Sequence, residues 1–258
     1  MPARARVDGF GRRSVRRVIV ALGWIVVPWY ALSFLVSVRV VPFPHLVVAR
    51  FAAYLPQILA HAGASLLRVL AALGLSAALA VPLGLAMGRS SRVDRGFAPA
   101  AYLLYPVPKI ALLPILLLLL GTGDVTRVVL VSLVLFFQML LSVRDGARAV
   151  EEHYLLSIDS LGGSRWDRLR HVIWPSVLPR LLTAMRIGSA TAIAVLFFAE
   201  TFFTSVGLGY FIMDSWMKLS YIDLYAGILA MSLLGLLLFV AIDRLERAVT
   251  KWQRATAS

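Results

Sequence analysis

Six stretches of this chain are apolar over roughly the 20 residues that a helix needs to cross the hydrocarbon core of a bilayer: 18–38, 64–88, 98–120, 125–143, 183–205 and 224–243. Hydrocarbon offers the backbone no hydrogen-bond partner, so a segment held in it must satisfy its own N–H and C=O groups, and runs of this length do so as α-helices. The stretches predict an all-α integral membrane fold of six transmembrane helices. Composition agrees, with a mean hydropathy of +0.84, 60% hydrophobic and 15% charged residues. That is more apolar surface than a soluble chain of 258 residues hides in its core. No linker, low-complexity segment or internal repeat breaks the pattern. The chain reads as one transmembrane domain, 18–243, between basic tails at 1–17 and 244–258.

The loops sort by charge. One side collects Arg4, Arg6, Arg12, Arg13, Arg16 and Arg17, then Arg89, Arg92 and Arg95, then a long polar island, and finally Arg244, Arg247, Lys251 and Arg254. The other side holds little beyond Arg39, Arg50, Arg127 and Lys218. Basic loops stay in the cytoplasm, so both termini are expected there. The net charge of +13 has the same origin. Its dispersal over every loop of one side argues against a nucleic-acid surface, which gathers its cations on one face. The first apolar stretch has a basic flank but is long for a signal-peptide core, and no small-residue cleavage site follows; it reads as a retained signal anchor.

Catalytic chemistry finds no foothold. The lysines are Lys109, Lys218 and Lys251, and none stands in the glycine-rich setting that holds nucleotide phosphates. His45, His61, His153 and His171 are scattered, no cysteine is present, and no serine sits in a G-x-S-x-G turn. An integral-membrane enzyme is disfavoured because no reactive group has a base beside it.

The polar island runs from Arg144 to Arg186. Its two arms carry apolar residues at helical spacing (Val150, Tyr154, Ser157 and Leu161, then Trp166, Leu169 and Ile173), with Gly162-Gly163 as a hinge between them. Two short amphipathic helices joined by a turn are expected at a membrane face. Amphipathicity alone is compatible with an interfacial helix whose arginines bind anionic lipid. The double glycine, Trp166 and the spacing of Pro175 and Pro179 argue for a docking loop.

The segment "LGGSRWDRLRHVIWPSVLP" resembles the cytoplasmic EAA, or coupling, loop of ABC importer permeases. Gly162 stands for the family's glycine and Val172-Ile173-Trp174-Pro175 for its closing Ile-x-Leu-Pro. The opening triplet departs, with Leu156-Ser157-Ile158 in place of Glu-Ala-Ala. "VPFPHLVVARF", "HAGASLLRVLAALGLSAALAVPLGLAMGRS", "YPVPKIALLPILLLLLGTGD" and "GLGYFIMD" extend the resemblance to the nitrate/sulfonate/taurine branch, which also includes permeases for thiamine precursors.

The resemblance implies a type I ABC importer permease fold in the bacterial cytoplasmic (inner) membrane. The chain would form half of a translocation pathway with a second permease subunit, identical or homologous. It would dock ABC ATPase subunits and receive solute from an extracytoplasmic substrate-binding protein. It would hold no cofactor of its own, ATP being bound by the partner ATPase. The solute would be an oxyanion such as nitrate, sulfonate or taurine, or a small vitamin precursor. A coupling loop at about 144–182 would present a helix from Ser164 to Val172 to the ATPase. Trp166 and Leu169 would be its apolar anchors, with Arg165, Arg168 and Arg170 on the rim. Gly162, Gly163, Ile173 and Pro175 complete the expected coupling set, and Pro175 and Pro179 are expected to stop the helix and set the angle of the fifth span. The missing glutamate raises one alternative, a non-transporting scaffold or regulatory subunit with the same fold.

Ionisable and amide groups inside a bilayer are buried against protein or line a pathway, which singles out Lys109, Gln138 and Glu200. Lys109 follows Pro106 and Pro108, where a broken helix would free backbone groups facing a cavity. It is expected to attract an oxyanion, to cap carbonyls or to pair with Glu200. Glu200 is expected in a structural pairing or gate role, and Gln138 as an interhelical hydrogen-bond partner or pathway group. Gly74, Ala78, Pro82, Gly84 and Gly88 form a small-residue seam for close helix approach.

Overall fold

The computed structural model describes residues 8–250, without the side chains of 8–19, 21 and 22. Of the two basic tails, Arg4, Arg6, Lys251, Arg254 and the side chains of Arg12, Arg13, Arg16 and Arg17 lie outside the described residues. All regular elements among the described residues are helical: α1 (Asp8–Leu35), α2 (Pro44–Ala53), α3 (Leu55–Arg89), α4 (Ser91–Leu104), α5 (Leu113–Leu120), α6 (Asp124–Arg148), α7 (Glu152–Ser160), α8 (Arg165–Arg168), α9 (Trp174–Glu200), α10 (Leu208–Met217) and α11 (Tyr221–Val249).

Four helices are long and apolar enough to cross a membrane singly: α3, α6, the run Arg165–Glu200, and α11. The expected third span is broken, its halves α4 and α5 meeting at 86° through a 3-10 turn at Lys109–Leu112. Pro106 and Pro108 explain the break, since each lacks the N–H that would continue the ladder and pushes the preceding residue out of helical geometry. The first apolar stretch lies in α1 as far as Leu35, and its described apolar part, Gly23–Leu35, is shorter than a crossing needs; among the described residues the spans number four, or five with the bent pair, where six were expected.

α6 is the central helix. Leu130, Val131, Leu135, Met139 and Val143 on it are completely buried. Lipid tails are as apolar as leucine, so helices in a bilayer gain little by hiding apolar surface from one another and associate through close packing and polar contacts. Both are present. A Cβ at Gly84 would lie 2.8 Å from Val143, and one at Gly88 2.6 Å from Ala147 and from the Arg144 carbonyl. The Gly84–Gly88 half of the small-residue seam thus lets α3 and α6 touch backbone to side chain. Gly74 belongs to the expected seam but has open space around it. Ser76 donates to the Ser132 carbonyl at 3.0 Å.

Arg144 extends α6 beyond its expected end. The island places this arginine outside the membrane, in the loop beginning at 144, yet it is buried within the helix, 2.5 Å from Asp94 of α4 and 2.8 Å from the Tyr102 hydroxyl. With those partners its charge is satisfied and the helix continues to Arg148. Between α6 and α8 the chain runs from Ala149 to Ser164 and contains α7. α9 and α11 are tied by Arg186 to Asp243 at 2.6 Å and by Thr183 to Glu246 at 2.8 Å. α2 and α11 are joined by Arg50 and Asp223 at 2.5 Å.

Candidate functional site

The loop after α6 is built by two glycines and one serine. Gly162 adopts a φ of +77°, a left-handed conformation that costs glycine nothing and other residues about 1 kcal/mol or more. At Gly163 an added Cβ would lie 2.3 Å from Ile158, so only hydrogen permits the chain to fold back over α7. Ser164 then starts the next helix through a capping box: its hydroxyl accepts from the Asp167 N–H at 3.2 Å, and its own N–H donates to the Asp167 carboxylate at 2.8 Å. Arg168 and Asp159, 2.5 Å apart, bind α8 to α7.

The expected free-standing helix Ser164–Val172, stopped by Pro175 and Pro179, is not what forms. α8 passes through a widened π-turn at Leu169–Ile173 directly into α9, so one helix runs from Arg165 to Glu200. Pro175 sits in the first turn of α9 and Pro179 within it. A proline removes one i→i−4 bond and its ring crowds the carbonyl four residues back, and the wider turn absorbs that mismatch without ending the helix. Trp166 is 64% exposed, whereas Leu169 is half-buried against the core and Ile173 is buried. Of the two expected anchors only Trp166 stands free, with Arg165 and Arg170 also exposed.

The bend in the third span carries Lys109. Its ammonium donates to the Tyr105 carbonyl, one of the groups freed by the break, and lies 4.8 Å over the Phe137 ring. Together with Gln138 and Thr191 it lines a cavity of about 420 Å³ between the bend, α6 and α9.

Glu200 is fully buried at the far end of α9 and does not pair with Lys109. Its carboxylate accepts from Arg68 Nη1 at 2.6 Å, from the Ser65 hydroxyl at 2.9 Å and from the Gly209 N–H at 2.9 Å. Arg68 rises from α3 into this site and so takes the position a lysine partner would need. The same arginine donates to the Val206 carbonyl at 2.7 Å and to Asp124 at 2.9 Å. His61 Nδ1 accepts the Gly207 N–H at 3.1 Å. A Cβ at Gly207, where φ is +134°, would lie 2.4 Å from the Glu200 carboxyl carbon. Arg127 holds the carbonyls of Phe202 and Phe203 at 3.1 and 2.7 Å. The segment 201–207 is thereby fastened to α3, α6 and α9.

The sequence pattern does not single out Arg68 and Arg127 as site residues. Arg68 lies inside an apolar stretch, and the reasoning that singles out Lys109 and Glu200 applies to it equally. Arg127 reads as a loop cation until the fold buries it.

The fold is that of type I ABC importer permeases. A chain of the MetNI methionine ABC transporter in its inward-facing conformation superposes with a TM-score of 0.62 at 18% identity, over 77% of this chain and 98% of that one. Residues 80–254 match the family described as binding-protein-dependent transport system inner membrane component, and the chain belongs to that family. The taurine transport system permease protein TauC of Escherichia coli (strain K12) is 32% identical over 74% of this chain and 70% of its own. The putative aliphatic sulfonates transport permease protein SsuC of Bacillus subtilis (strain 168) is 28% identical over 98% and 91%.

Proposed function

We propose that this chain is the transmembrane permease subunit of an ATP-driven importer for a small solute of the sulfonate, taurine or nitrate class. It forms half of the pathway beside a second permease subunit, accepts solute from an extracytoplasmic binding protein and is driven by ABC ATPase subunits docked on its cytoplasmic loop. The solute class rests on the relatives named for taurine and aliphatic sulfonates. Coupling rests on one observation, the uninterrupted helix of 36 residues from Arg165 to Glu200. At 1.5 Å per residue it is about 54 Å long. Its near end carries exposed Trp166 in a loop rigidified by the Ser164 cap and the Arg168–Asp159 pair, and its far end carries the buried Glu200 cluster. A rigid helix with those ends transmits a displacement of the loop to the opposite face of the membrane.

The test is co-purification. Trp166→Asp puts a charge where an apolar anchor is expected, and Gly162→Val forces a β-branched residue into a left-handed turn. Each is expected to abolish retention of the ATPase while the chain still inserts in the membrane. Undiminished ATPase recovery with both variants would refute the coupling role of this loop and favour the scaffold reading.

A further inference from the structure

Two cavities adjoin along the groove between α6 and α9. The first, of about 420 Å³, is lined by Lys109, Gln138 and Thr191 among apolar residues. The second, of about 490 Å³, shares Gln138 and adds Ser142, Thr183 and Arg180. The lining residues fall on single helical faces. Gln138, Ser142 and Asp145 follow one another on α6, as do Thr191, Ile187, Ala184 and Arg180 on α9. From Thr191 to Arg180 the groove covers about 16 Å, one helical rise per residue.

The polar groups of the first cavity keep donors free. An ammonium has three N–H groups, and Lys109 commits one to the Tyr105 carbonyl. Among the described residues no carboxylate lies within ion-pair distance of Lys109 or Arg180, and the side chains of Gln138 and Thr191 have no hydrogen-bond partner. No carboxylate lines the first cavity. Two line the second, Asp145 and Glu246, so exposed Arg180 has counter-charges within its own cavity. Lys109, half-buried in a mainly apolar lining, has none, and a cation so placed marks where a mobile anion supplies the counter-charge.

We propose that Lys109 with Gln138 and Thr191 forms a station for a small oxyanion at the head of this groove. Gln138 can donate an N–H to an anion held there. The ammonium matches a sulfonate or nitrate group, whereas an organic cation is repelled. The carboxylates of the second cavity keep an anion from resting there. The meaning of the station for transport rests on the importer reading; anion binding itself does not.

Binding is measured first, on the full chain in lipid nanodiscs at fixed ionic strength, by calorimetric titration with sodium ethanesulfonate and separately with tetramethylammonium chloride. Saturable binding of ethanesulfonate and none of tetramethylammonium is expected. Lys109→Gln is expected to weaken ethanesulfonate binding by roughly tenfold or more, the factor lost with a charge-assisted hydrogen bond, and Lys109→Arg to restore most of it. Arg180→Gln, outside the station, is expected to leave ethanesulfonate binding unchanged. Absence of saturable binding to the wild-type chain, or undiminished binding to a folded Lys109→Gln variant, overturns the proposal. Normal binding with no uptake by the wild-type complex refutes the importer reading instead and leaves the station standing.

Discussion

Arg68 and Glu200 are 2.6 Å apart and almost wholly removed from solvent. Taking both charges out of water is expensive, and the attraction between them compensates only because Ser65, Asp124, the Gly209 N–H and the Val206 carbonyl satisfy what remains of each. Removing one partner strands the other. Arg68→Met is expected to destabilise the chain by about 3–5 kcal/mol, read as a lower unfolding midpoint in detergent. Adding Glu200→Gln to that variant should recover a substantial part of the loss, because it removes the stranded charge. If the two losses simply add, the groups are not coupled and the cluster is not a unit. Lys109 contrasts with this pair in having one hydrogen bond, to a backbone carbonyl, and an open cavity before it.

At the scale of elements, the α3–α6 contact is decided by the absence of two side chains. Gly88→Leu has no room against Ala147 and the Arg144 carbonyl, and Gly84→Val meets Val143 and the Leu140 carbonyl. Each is expected to lower the unfolding midpoint, with overpacking costs of about 1–3 kcal/mol. Gly74→Ala meets nothing within 4 Å and should be neutral or stabilising by up to about 1 kcal/mol, since alanine is the better helix former. Equal losses at Gly74 and Gly88 would show that the seam acts along its whole length. The π-turn at Leu169–Ile173 belongs to this scale too. It turns two prolines that read as helix terminators into residues inside a continuous rod.

For the whole molecule, the charge asymmetry of the loops predicts an orientation that can be read directly, because the chain has no cysteine of its own. A single cysteine at exposed Leu161 should react with an impermeant maleimide only from the cytoplasmic side, and one at exposed Leu219 only from the opposite side. Reaction of both from one side would overturn the topology. The all-helical fold, the run of apolar spans and the turn at Gly162-Gly163 were legible in the sequence, because hydrocarbon dictates helix, a span has a required length and glycine alone takes a left-handed turn without cost. Tertiary structure decided the rest. Whether an arginine within a span is a cost or a fastening depends on which carboxylate another helix brings to it, as Glu200 is brought to Arg68 and Asp94 to Arg144. Whether Lys109 pairs with Glu200 or faces a cavity depends on an 86° bend and on which helix reaches the glutamate first. Such choices are made by contacts across 50 to 132 residues of chain, and a pattern read along one helix at a time does not contain them.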